Sequence, residues 1–162
     1  MKSSRVAFLG LFTAFAMILS FVESQIPTFV AIPGIKLGLP NIAIIMILYK
    51  FGIKEATIVS LLRVLLTSLL FGTVLSMLYS IAGAVLSLIA MILLKNFLSI
   101  VTVSVIGGVC HNIGQIAVAC FVTSTAELLY YLPVLLISGT ISGILIGLIG
   151  AKVVQKMEKI QL

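Results

Sequence analysis

Polar residues in this chain gather in short clusters: KSSR near the start, ESQ at 23–25, YKFGIKE at 49–55, FGT at 71–73, KN at 95–96, TSTAE at 123–127 and the tail KVVQKMEKIQL. Several of the apolar stretches between them reach the roughly 17 residues with which a helix crosses about 30 Å of hydrocarbon. The pattern predicts helices at 6–22, 37–50, 55–71, 74–94, 100–122 and 129–151, in one domain spanning 1–162. The expected fold is an all-α membrane protein whose six helices all cross the bilayer. In the first, Gly10 and Ala14 form a small-xxx-small pair, flanked by Ala7, Ala16 and Ser20, a surface for close helix contact within the chain or with a partner subunit. Residues 23–36 form an apolar loop expected to fold back over the bundle. Pro40 and Asn41 fall in the first turn of the second helix, where a missing donor costs little. Ser76, Ser80, Gly83 and Ser87 make a packing stripe on the fourth helix, and Ser138, Gly139, Ser142, Gly143, Gly147 and Gly150 line the sixth. The tail is basic and amphipathic, which suits the membrane surface.

Composition sharpens the picture. Of 162 residues 62% are hydrophobic and only 9% charged, against about 25% charged in a soluble domain, and the mean hydropathy is +1.37. A soluble globular domain is excluded. The first segment runs straight into further apolar stretches and is kept as a helix rather than assigned to a cleaved signal peptide. The net charge of +6 is an orientation signal and not a nucleic-acid footprint. Lys2, Arg5, Lys50, Lys54, Lys95, Lys152, Lys156 and Lys159 fall on one predicted side and Lys36 alone on the other, so both termini are expected in the cytoplasm. Cys110 and Cys120 lie on one helix about 15 Å apart, too far for a disulfide, and read as small apolar residues.

The chemistry available to such a chain lies in its few polar residues at membrane depth. GGVCHNIGQ, residues 107–115, puts the single histidine, an asparagine and a glutamine into an otherwise apolar helix. His111 and Gln115 share a face and Asn112 points to the flank. Such groups must turn toward protein, water or ligand. Arg63 lies about 12 Å and His111 about 16 Å from the starts of their predicted helices, at similar depths. All four acidic residues are glutamates, Glu23, Glu55, Glu127 and Glu158, each at a helix end, loop or tail, so Arg63 has no evident carboxylate. It either bonds helix-end carbonyls or the amides of Asn112 and Gln115, or receives a carboxylate or phosphate from a ligand. Ser60 and Thr67 extend its face. The expectation is one pocket lined by Arg63, His111, Asn112 and Gln115. Lys36 and Asn41 stand at the mouth of the second helix, where backbone donors favour anions, and Lys36 equally suits surface anchoring. Tyr79, Tyr130 and Tyr131 could line a cavity, the last two equally an aromatic belt. His111 can be a pocket group or a satisfied structural histidine, and one histidine without aspartates makes a poor metal site.

The segments ESQIPTFVAIPGIKLGLPN, RVLLTSLLFG, SMLYSIAGA, CHNIGQIAVA and YYLPVLLISGTISG resemble the Gx transporter family, whose members are often labelled heptaprenyl diphosphate synthase component I. That family is similar to the substrate-binding S components of energy-coupling factor (ECF) transporters, six-helix proteins of the bacterial cytoplasmic membrane. The resemblance covers nearly the whole chain. It implies a small organic ligand, a transmembrane coupling subunit contacted through Gly10 and Ala14, and two cytoplasmic ATPases that use ATP in place of any cofactor here. It also implies a cap formed by residues 26–36, and places His111, Asn112 and Gln115 in the HN-x-GQ motif. Pro40 stands where the family has alanine.

Prenyl diphosphate synthesis needs clustered aspartates to hold magnesium on diphosphate. This chain has none, so it is not a catalytic subunit, and without a Walker A sequence any ATP use belongs to partners. The leading expectation is an ECF-type substrate-binding subunit for a small anionic organic molecule, such as a vitamin or a quinone or isoprenoid precursor. The alternative is a non-catalytic membrane component of heptaprenyl diphosphate or quinone biosynthesis. A self-sufficient secondary carrier is disfavoured, because no mid-membrane carboxylate is available to carry a proton.

Overall fold

The computed structural model describes residues 2–25 and 38–159. Six α-helices occupy these residues: α1 Lys2–Gln25, α2 Asn41–Lys50, α3 Ile53–Phe71, α4 Val74–Leu94, α5 Ile100–Thr123 and α6 Leu132–Lys159. A 3-10 turn at Ala126–Tyr131 precedes α6. Local chemistry sets the boundaries. Gly52 at φ +107° makes the turn from α2 to α3, a conformation open chiefly to glycine. Thr73 and Ser76 form a reciprocal capping box that starts α4, and the Ser99 side chain accepts from Thr102 N to start α5. Each satisfies backbone donors that the helix itself leaves unpaired. Ser124, left-handed at φ 51°, ends α5. Pro133 lies in the first turn of α6, where no donor is required of it.

The expectation of six membrane-crossing helices is corrected. Four segments are long and apolar enough to cross: Val6–Gln25, Val74–Leu94, Ile100–Thr123 and Ala126–Met157. This is a multi-pass membrane protein, but α2 and α3 do not qualify. At 10 residues α2 is about 15 Å long, half the hydrocarbon thickness. The 19 residues of α3 are interrupted by three charged residues, Lys54, Glu55 and Arg63, whereas each of the four spans holds a stretch of 18 residues with at most two. Residues 152–159 of the basic tail continue α6 without a break.

The short α2 is stable because protein, not lipid, surrounds it. Ile44, Ile45, Ile47 and Leu48 are each 1% exposed, so the helix is apolar on every side and buried on every side. Its neighbours close a circuit, α2 to α3, α3 to α4, α4 to α5, α5 to α6 and α6 back to α2, with α1 laid against α3 and α2. The core joins α2 to Ala56 and Val59 of α3, Leu88 and Met91 of α4, Val103 of α5 and Ile146 of α6. Phe51 meets the rings of Phe8 and Phe12 at 4.4 and 5.7 Å, and Lys50 Nζ donates to the Met157 carbonyl at 3.0 Å. One end of the bundle therefore collects the beginning of α1, the α2–α3 turn and the end of α6. The opposite end holds the end of α1 against the end of α3, with Phe21 and Phe71 rings 5.3 Å apart.

The tightest packing runs along α5. A Cβ on Gly108 would lie 2.6 Å from the Gly139 carbonyl oxygen of α6, and one on Gly143 would lie 2.6 Å from Val105 Cα. On the other side, a Cβ on Gly114 would lie 2.8 Å from the Ala82 carbonyl oxygen of α4. In lipid, where apolar burial gives helices no reason to associate, such backbone approach supplies the attraction. Gly108→Ala is expected to destabilise by about 1–3 kcal/mol, the range for overpacking. Gly10→Ala, with nothing within 4 Å of the new methyl, is expected to leave stability unchanged. Thermal unfolding of the two variants in the same detergent checks the contrast.

Candidate functional site

The HN-x-GQ segment sits midway along α5, and its polar residues divide between two neighbours. His111 and Gln115 face α4, where a Cβ on Gly83 would lie 2.8 Å from Gln115 Cγ and 3.0 Å from His111 Cε1. Tyr79, one turn before Gly83 and partly buried, belongs to the same stripe of α4. Asn112 turns the other way. It is 6% exposed, and its Nδ2 donates to the Leu135 carbonyl of α6 at 2.6 Å. Gly139 permits this approach, since a Cβ there would stand 2.8 Å from Asn112 Nδ2. The asparagine amide is thus engaged with the backbone of α6, on a different seam from His111 and Gln115.

Arg63 belongs to α3, which packs against α1, α2 and α4. On the buried stripe of α3, Ser60 is 3% exposed, and Arg63 and Thr67 follow at helical spacing. Among the described residues, Arg63 Nε and Thr67 Oγ1 are buried and have no hydrogen-bond partner. Buried donors without acceptors are rare and costly. These two are one turn apart on one face.

A carboxylate comes within electrostatic reach of Arg63 after all. Glu23, in the last turn of α1, acts on the guanidinium, and its Oε1 accepts a hydrogen bond from Gly38 N. Glu23 and Gly38 are 15 residues apart, a pairing that helical periodicity does not indicate. Gly38 has φ +76°, and its Cα faces Ile146 Cδ1 and Asn41 Nδ2, 3.1 and 3.4 Å from where a Cβ would stand. Asn41, partly buried at the start of α2, is therefore beside the Glu23–Gly38 contact.

The remaining candidates are dispersed. Gly10 and Ala14 are exposed on the outer face of α1 together with Val6, Leu11 and Ile18. Tyr130 is 84% exposed in the 3-10 turn. Lys36 and the expected cap at 26–36 lie outside the described residues. Among the described residues, no three His, Cys, Asp or Glu side chains are grouped so as to hold a metal ion. The structure thus presents three polar places: the Arg63–Thr67 face of α3, the junction of Glu23, Gly38 and Asn41 between α1 and α2, and the His111–Gln115 stripe against Gly83.

Residues 12–153 match the family described as heptaprenyl diphosphate synthase component I, and the chain belongs to that family. Neither the curated proteins nor the solved structures yielded a match.

Asn112→Ala is expected to lower stability by about 0.5–2 kcal/mol, the scale of an interhelical hydrogen bond in a membrane protein. Hydrogen–deuterium exchange should show the loss as faster exchange in the first turns of α6, where Leu135 sits.

Proposed function

We propose that this member of the component I family is a non-catalytic, membrane-embedded binding subunit for a small organic anion, working as the substrate-binding subunit of an ECF-type importer. The observation that carries the reading is the pair of unsatisfied buried groups on α3, Arg63 Nε and Thr67 Oγ1. An arginine cannot shed its charge, and burying it with its Nε donor unmet is unfavourable. A carboxylate or phosphate supplied by a ligand would accept from the guanidinium in the forked geometry that suits it, and the Thr67 hydroxyl would add a further donor. Ser60 and Asn41 extend the polar surroundings. His111, Gln115 and Tyr79 would form a second polar wall on the α4–α5 seam, and Lys36 belongs to the same proposed ligand set. The exposed face of α1 around Gly10 and Ala14 suits close approach by a transmembrane coupling subunit, with ATP hydrolysed by two cytoplasmic ATPases attached to it.

The family description favours a second reading, an accessory membrane component acting beside a catalytic partner in prenyl diphosphate synthesis. The first reading places an anion on Arg63, and the second does not require one. They differ in partner, and co-purification separates them: a coupling subunit with ATPases in one case, a prenyl transferase in the other.

Protein extracted gently from its own membranes is expected to carry a stoichiometric organic anion, identified by mass spectrometry, that is lost in Arg63→Ala. A well-folded wild-type protein devoid of any organic anion would count against the binding-subunit reading.

A further inference from the structure

The last helix is longer than a membrane requires. The stretch from Leu132 to Ala151 carries no charge and by itself rises about 30 Å, the thickness of the hydrocarbon layer. Helix α6 nevertheless runs on unbroken to Lys159, so Lys152, Lys156 and Lys159 stand at the hydrocarbon edge and beyond it. All three are exposed. Deeper in the membrane, Ile141, Leu145, Leu148 and Ile149 of the same helix are exposed as well. At 3.6 residues per turn, these apolar positions and the three lysines fall on one face, within roughly a quarter of the helix circumference. Leu135, Ile146 and Val154, on the other side, are buried. The bond from Lys50 Nζ to the Met157 carbonyl holds the end of α6 against the bundle, so the lysine face is kept outward. Glu158 is the one acidic residue from 152 to 162, and it falls about 100° around the helix from Lys159.

We propose that this face of α6 is a binding site for an anionic phospholipid in the leaflet on the lysine side. Its acyl chains lie along Ile141, Leu145 and Leu148, and its phosphate sits between Lys152 and Lys156. Those two lysines are about 6 Å apart along the axis, close to the depth of the headgroup layer, which is roughly 5–8 Å on each side. Lysine stems lie along apolar surface while the ammonium groups reach the polar layer, so the column presents chains and headgroup with matching surfaces in the right order. Lys159, a turn further out, adds attraction within the screening length. A zwitterionic lipid gains less, because its own cation opposes the lysines. The membrane orientation of the chain needs only positive charge at this end, which Lys54 and Lys95 also supply. It does not need lysines in register beneath lipid-facing residues. The alignment of the two stripes is what favours a lipid over an acidic protein as the occupant.

The chain contains no tryptophan, so Leu148→Trp places a single fluorophore on the proposed site, at a position exposed to lipid. The full chain is reconstituted in vesicles that mix phosphatidylcholine and phosphatidylglycerol, with the acyl chains of one or the other brominated to quench a neighbouring indole. Phosphatidylglycerol is expected to occupy the site about fivefold more readily than phosphatidylcholine, the effect of one lysine beside an anionic headgroup. Replacing Lys152 and Lys156 together by Gln is expected to bring the ratio close to one. The charge-matched pair, Lys54→Gln with Lys95→Gln, is expected to leave it unchanged. Leu145→Trp is the second reporter should Leu148→Trp fail to fold. Equal quenching by the two lipids with all lysines present overturns the lipid site and leaves the face to an acidic protein partner. A preference that survives loss of Lys152 and Lys156, or that falls equally in both charge-matched pairs, overturns it too, because the net charge of the bundle end and not the column on α6 would then select the lipid.

Discussion

Everything in this bundle depends on how closely α5 can approach its neighbours. A bilayer does not drive apolar helices together as water does, so cohesion must come from backbone contact and from the few hydrogen bonds that cross between helices. Glycines supply the first on both sides of α5, at Gly114 toward α4 and at Gly108, Gly139 and Gly143 toward α6. Asn112 supplies the second, donating to Leu135. The motif that holds the polar residues is therefore also the seam that holds α5 in place. Within its five positions, the asparagine is committed to packing while the histidine and glutamine face another helix.

Helix chemistry was readable from sequence wherever the deciding groups are neighbours in the chain. The FGT turn and the Ser three residues after Thr73 mark the start of α4 through a local capping box. The small-residue stripe at Gly83 and Ser87 does face α5, where Ser87 Oγ lies 3.2 Å from the Cβ position of Gly107. The α2 segment was misjudged for a physical reason. Its composition is that of a membrane helix, but length, not composition, decides whether a helix can cross. A 10-residue helix survives only because other helices take the place of lipid around it. For α3, Lys54, Glu55 and Arg63 break an otherwise apolar run of sufficient length, so charge rather than length sets it apart from the four spans.

The site was legible in its residue types and not in its pairings. Arg63 with Ser60 and Thr67 follows from helical spacing alone. That Glu23 reaches Gly38 and acts on Arg63 depends on how α1, α2 and α3 come together, which no local pattern encodes. Similarly, Asn112 was recognisable as a polar group that must find a partner, but its acceptor on α6 is 23 residues away. Sequence reasoning names the groups that need company; packing decides which neighbours provide it.

The buried α2 also carries a consequence for biogenesis. Its partners on α6 include Ile146, Gly150 and Met157, and its Lys50 bonds a carbonyl 107 residues downstream. At synthesis rates of about 5–20 residues per second, that distance is roughly 5–20 s of translation. During this interval α2 is too short to anchor itself across the bilayer and has no C-terminal helix to shelter against. The nascent chain must hold an uncovered isoleucine-rich segment at the membrane until its last helix is inserted. The bundle is thus completed from its centre only after its end has been made.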